Sequence, residues 1–247
     1  MTHIFKKVAI AATLVTSALA ASATPIIGLA NLTMGLVQVT FGNVDWNNGG
    51  TNINPPPNAV RTYGDFTTNG TPLNGNTGSF AGGVFAGLTT GRIQDLSGVP
   101  VDANYVPIGT SLPTGVPKFL QFVAQPGWLF TETFLSAGTL AGTPYILTES
   151  LGNVSATISA LGIACDTLGD GICDLTDSKT NWTGIFSAQY TNTSIAALTA
   201  ILVGGGALQN NTWSGTIEAR AIPEPGSVAL LGLGLVGLVA MRRRAVK

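Results

Sequence analysis

Residues 165–177 read Cys-Asp-Thr-Leu-Gly-Asp-Gly-Ile-Cys-Asp-Leu-Thr-Asp and hold both cysteines of the chain beside four carboxylates. Counted from Asp166 as position 1, acidic oxygens stand at positions 1, 5, 9 and 12 (Asp166, Asp170, Asp174, Asp177), with Gly171 at position 6. Calcium needs several oxygens converging at about 2.4 Å, and a glycine at the sharp turn lets a loop close around it. Position 3 is Leu168, and position 12 is the short Asp177 instead of glutamate. The chemistry expected here is therefore weak calcium binding, set against a plain solvated acidic loop. The cysteines are an even pair, and the termini described below predict export. Outside the inner membrane such a pair is expected to form a disulfide, Cys165–Cys173.

Two other carboxylates invite a catalytic reading. Glu132 and Glu149 stand in Thr-rich, strand-like surroundings, Phe-Thr-Glu-Thr-Phe and Ile-Leu-Thr-Glu-Ser. Glycoside hydrolysis needs two carboxyl groups facing each other about 5 to 9 Å apart; a solvent-facing glutamate on a strand is the plainer alternative. The only histidine, His3, lies in the N-terminal segment, so residues 24–222 have none. This excludes Ser-His-Asp and Cys-His nucleophiles and histidine-ligated metals from that span. The span sets five cations (Arg61, Arg92, Lys118, Lys179, Arg220) against eleven acidic residues, a net charge of −6. Such a sparse acidic set offers no footprint for nucleic acid. Trp46, Trp128, Trp182 and Trp213 would stack on sugars if exposed, or pack a core if buried.

A β-rich scaffold must position these groups. Short runs of β-branched and aromatic residues alternate with Gly, Asn and Pro clusters, the pattern of an antiparallel all-β domain. Strands are expected over 32–41, 80–88, 118–124, 128–135, 145–148, 154–161, 184–190 and 213–219. Val37, Val39 and Phe41 would share one face of the first, with Gly35 at a bulge. Gln125-Pro126-Gly127 reads as a tight turn, making 119–135 a hairpin. Val154, Ala156 and Ile158 alternate with Ser155, Thr157 and Ser159, as in a sheet with one wet face. Residues 194–203 suit either a short helix or a buried strand. Eight or more short strands in about 200 residues predict an antiparallel β-sandwich, with a jelly roll as one option.

The last part of the chain carries a different signal. Pro223-Glu224-Pro225 is followed by an apolar run from Gly226 to Met241 and then by Arg242-Arg243-Arg244. Flanking prolines hold the glutamate extended, so this motif cannot continue a helix. Sixteen residues make a helix of roughly 24 Å, at the short edge for a hydrocarbon core of about 30 Å. The arginines favour a cytoplasmic end and place the rest of the chain outside. This segment resembles the PEP-CTERM sorting signal of exopolysaccharide-producing Gram-negative bacteria. The resemblance implies that a membrane-embedded exosortase reads and cleaves the segment, and that the inner membrane holds the precursor. The acidic loop, for its part, resembles the calcium repeats of thrombospondin type 3, departing from them at Leu168 and Asp177.

The N-terminus agrees. Basic Lys6 and Lys7, an apolar stretch over 8–19 and A-x-A sites at 18–20 and 21–23 read as a signal peptide. The expected organisation is a signal peptide over 1–23, an exported domain over 24–221 and a sorting segment with its transmembrane helix over 222–247. The function expected is that of a cell-surface or biofilm-matrix protein, not an enzyme, with no cofactor beyond weak calcium. A carbohydrate-binding module and a carboxylate glycosidase are the alternatives. Exosortase, the inner membrane and extracellular polysaccharide are the expected partners.

Overall fold

The computed structural model describes residues 25–46, 62–68, 75–83, 85, 87, 90–100, 103–167, 173 and 177–222. Within them the elements are β1 (Gly28–Val39), β2 (Asn43–Asp45), β3 (Tyr63–Thr68), α1 (Ser79–Gly82), β4 (Thr90–Gln94), β5 (Leu96–Ser97) and β6 (Val116–Phe122). There follow β7 (Trp128–Leu135), β8 (Tyr145–Ser150), β9 (Asn153–Asp166), β10 (Lys179–Tyr190), α2 (Ile195–Val203) and β11 (Leu208–Ala221). The all-β expectation holds.

The architecture differs from the expected sandwich. Strands run β11-β10-β9-β7-β6-β4-β3-β1, and β1 pairs back onto β11 from Gly28↔Ala219 to Val39↔Leu208. Eight antiparallel strands thus close into a barrel, and neither long terminal strand is left as an edge. Inside-outside alternation is the same in a sandwich and a barrel, so the sequence pattern alone did not distinguish them. β8 continues the track of β7 along β9: β7 ends at Leu135↔Ala160, and after an excursion the chain resumes at Tyr145↔Ile158.

Large and small side chains interlock inside. Trp46 meets Trp213 edge-on at 5.6 Å and Phe186 at 5.4 Å, and Phe119 stacks on Trp182 at 5.9 Å. Phe122 gathers Phe66, Phe85 and Phe130 around it. Room comes from Ala156, Ala160, Gly162 and Ala164 on β9 and from Gly91, over which the Phe66 ring lies. Burying each large side chain contributes roughly 1.5–3 kcal/mol. The interior is therefore a packed core. On the outer face β9 and β10 carry Ser155, Thr157, Ser159, Thr183, Ser187 and Gln189 beside the exposed Leu161 and Ile185.

Local signals explain most boundaries. A register shift between Thr33 and Leu36 places the bulge of β1 at Gly35, as expected; Phe41 falls beyond the strand and is exposed. Gln125 and Trp128 close the β6–β7 turn with bonds Gln125 N–H to Phe122 O and Trp128 N–H to Gln125 O, both 3.1 Å. The open question over 194–203 resolves as helix because Ser194 caps it, its hydroxyl accepting from Ala197 N–H at 3.2 Å. Among its described residues, the strand expected over 80–88 is not formed. Its described part holds the single turn α1, from which Phe80 stacks on Phe85 at 5.2 Å.

The barrel has two distinct ends. Gly28, Ala221, Trp128, Phe80 and the β9–β10 connection gather at one, the tail end. The β1–β2 turn, the β10–α2 corner and the α2–β11 turn form the opposite, far end.

Candidate functional site

The sorting segment follows directly from the barrel wall. β11 stays in register with β10 to its last residue, Thr180↔Ala221, whereas its pairing with β1 stops at Ala219↔Gly28. Arg220 and Ala221 therefore have one strand neighbour each. Both are exposed; Ala219 and Ile217 before them are buried. Arg220 bonds to Glu218 across 2.7 Å on the outer face, an exposed pair worth at most about 1 kcal/mol. In the sequence only Ile222 lies between Ala221 and Pro223. Pro223, Glu224, Pro225, the apolar run 226–241 and Arg242, Arg243 and Arg244 lie outside the described residues, as does the N-terminal segment 1–24. No helix among the described residues is long and apolar enough to cross a membrane.

Cys165 ends β9 beside Lys179 of β10, and the structure joins it to Cys173 as a disulfide with Cα atoms 5.9 Å apart. The bridge closes the connection at the tail end. The Asp177 carboxylate lies within 4.8 Å of both sulfurs. Oxidised sulfurs are poor metal ligands, since thiolates are what bind soft metals. Asp166 sits at the end of β9, half-buried, and Asp177 is buried on the return to β10. Asp170 and Asp174, the middle of the expected calcium loop, lie outside the described residues.

Glu132 and Glu149 do not come together. Their register partners on β9 are Gly162 and Val154, eight residues apart, or roughly 26 Å at about 3.3 Å per residue. They also face opposite ways. Glu149 is exposed on β8, where its carboxylate accepts from Ile195 N–H at 2.8 Å, supporting the start of α2. Glu132 points into the barrel between Val116 and Gly162; it is fully buried and neither oxygen has a hydrogen-bond partner. Burial alone pushes its carboxyl up to about 7. The two thus fail as a hydrolytic pair on distance and orientation.

A second carboxyl with a raised pKa sits near the far end. Asp95 is pushed up to about 6 by burial, opposed by hydrogen bonds from Thr62 and from Trp46 N–H at 3.0 Å. Asp45 and Asp65 nearby raise it further. The sequence singled out Glu132 but not its inward turn, which alternation in a Thr-rich strand does not reveal, and it did not signal Asp95 at all.

All four tryptophans are buried, between 0% and 4% exposed. Trp46 donates its indole N–H to Gln94 O at 2.9 Å, and Trp182 donates to Thr131 O at 3.2 Å. None offers a ring face to a sugar, so the stacking platform a carbohydrate module would use is not built from them. Two open grooves of about 450 Å³ each lie at the far end. One is lined by Thr40, Phe41, Gly98 and Gly142, the other by Gln189, Tyr190, Leu198 and Asn211.

No curated protein and no solved structure matches the chain. A family model does match its C-terminal portion: residues 221–244 correspond to the PEP-CTERM protein-sorting motif. The match begins at the last residue of β11, so the barrel runs without a spacer into the segment it covers. The structure and this comparison together establish that the chain is a β-barrel protein carrying a C-terminal PEP-CTERM sorting motif.

Proposed function

We propose that this protein is exported cargo whose barrel is delivered to the cell surface or extracellular polysaccharide matrix by its C-terminal motif. A signal peptide over 1–23 carries the chain across the inner membrane. The run 226–241 then holds it there, with Arg242, Arg243 and Arg244 on the cytoplasmic side. An exosortase cuts or transfers the chain at Pro223-Glu224-Pro225, a segment that two prolines keep extended and readable. Released, the domain serves as a structural surface protein and not as a catalyst.

The observation that carries this reading is the match of residues 221–244 to the sorting motif. A structural role is supported by the packed interior, the histidine-free domain and the separation of Glu132 from Glu149. The test is a pair of substitutions, Pro223→Ala and Glu224→Ala, in a host that has the sorting enzyme. Both variants should fold as the parent does, with unchanged unfolding midpoint, yet accumulate as uncut precursor in the membrane fraction. Processing and location identical to the parent would refute the role given to the motif.

A further inference from the structure

The junction between barrel and tail is unusually short. β11 keeps its register with β10 through Ala221, and Pro223 is two residues further on. From Ala221 to Gly226, where the apolar run begins, there are five residue steps, at most about 17 Å even when fully extended. The tail end of the barrel is thus tethered against the bilayer surface. An enzyme that cuts a peptide generally grips it as an extended strand, through backbone hydrogen bonds on both sides of the bond to be broken. Here the residues on the N-terminal side of the motif are Arg220, Ala221 and Ile222, and the backbone of the first two is already occupied by Asn181 and Thr180 of β10.

We propose that the substrate site of the sorting enzyme extends into β11, and that Arg220 and Ala221 must peel from β10 before the tail can be cut. The structure suits a peel of this length. Beyond Ala219 the strand has lost its β1 neighbour, and Arg220 and Ala221 bury no side chain. One step further in, Ala219 and Ile217 are buried in the barrel, and Ala219 is held on both sides, by Gly28 and Trp182. Peeling therefore stops there. The folded barrel sets the rate of its own processing through this one strand end: the enzyme acts only on the fraction of time that the end is open. This inference rests on exosortase cleavage as proposed above.

Spacer length tests it. Insertion of Gly-Ser-Gly-Ser between Ile222 and Pro223 supplies free extended chain and removes the need to peel; deletion of Ile222 brings the motif directly against the last paired residue, Ala221. Precursor-to-product conversion is followed by pulse-chase in a host with the enzyme, and each variant's unfolding midpoint is checked against the parent. The insertion should speed cutting by about 10-fold, the effect of freeing one or two net hydrogen bonds, and the deletion should slow it comparably. A cut whose rate ignores spacer length, or one that the insertion slows, overturns this inference alone. Absence of any cut in the parent chain overturns the sorting reading and this inference with it.

Discussion

Glu132 lies inside the barrel with Val116 on one flank and Gly162 on the other, both of its oxygens buried and unbonded. A charge there is costly, since nothing replaces the water it loses. The charged residues of the adjoining strands, Lys118 of β6 and Asp166 of β9, are half-buried, and burial is the only cause of the shift. Its pKa is raised in the folded state, so the fold holds this proton more tightly than the unfolded chain. The associated stability is full below about pH 4.5 and is lost as pH rises through about 7. Asp95, raised to about 6, acts in the same direction. Urea unfolding at pH 5 and pH 8 should show the parent weaker at pH 8, and Glu132→Gln should remove about 3 kcal/mol of that loss. An equal pH dependence in parent and variant would show that the carboxyl does not titrate in the core.

At the scale of elements, β9 ends in a covalent cross-link. The disulfide ties Cys165 to Cys173 across a sequence separation of 8, and a loop this small limits the unfolded chain by roughly 2–3 kcal/mol. Replacing both cysteines with serine should lower the unfolding free energy by that amount without altering the β-rich circular dichroism; an unchanged urea midpoint would contradict it. Much of this element level was legible. Alternation of Val154, Ala156 and Ile158 with serines and threonine marked β9, Gln125-Pro126-Gly127 marked a turn and Gly35 a bulge, because each is a local backbone signal. Closure of the sheet was not legible, since the β1–β11 pairing joins residues between 169 (Val39 and Leu208) and 191 (Gly28 and Ala219) apart in sequence and leaves no local trace. The aromatics of 80–88 suggested a strand, but Phe80 and Phe85 use their hydrophobicity to pack at the tail end of the barrel, beside Phe122 and Trp128, outside any ladder. The candidate site divides likewise: the sorting motif is a contiguous string and could be read directly, whereas the inward turn of Glu132 depends on neighbours from two other strands.

At the scale of the whole molecule, the two ends of the barrel have different surroundings. The tail end holds the disulfide, the end of β11 and the short tether to the apolar run; the far end holds α2 and both open grooves, the length of the 14-residue β11 away. Under the anchoring proposed above, the far end is the one that would face away from the membrane. The account as a whole depends on both termini being removed or transferred, and intact-mass measurement of the protein recovered from cells and medium tests this directly. With the sorting enzyme present, the account predicts a species that begins near Ala21 or Thr24, keeps the Cys165–Cys173 bond and lacks Arg242, Arg243 and Arg244; without the enzyme, the arginines stay. A full-length chain in the cytosol, or a membrane species that keeps its arginines whether or not the enzyme is there, would contradict it.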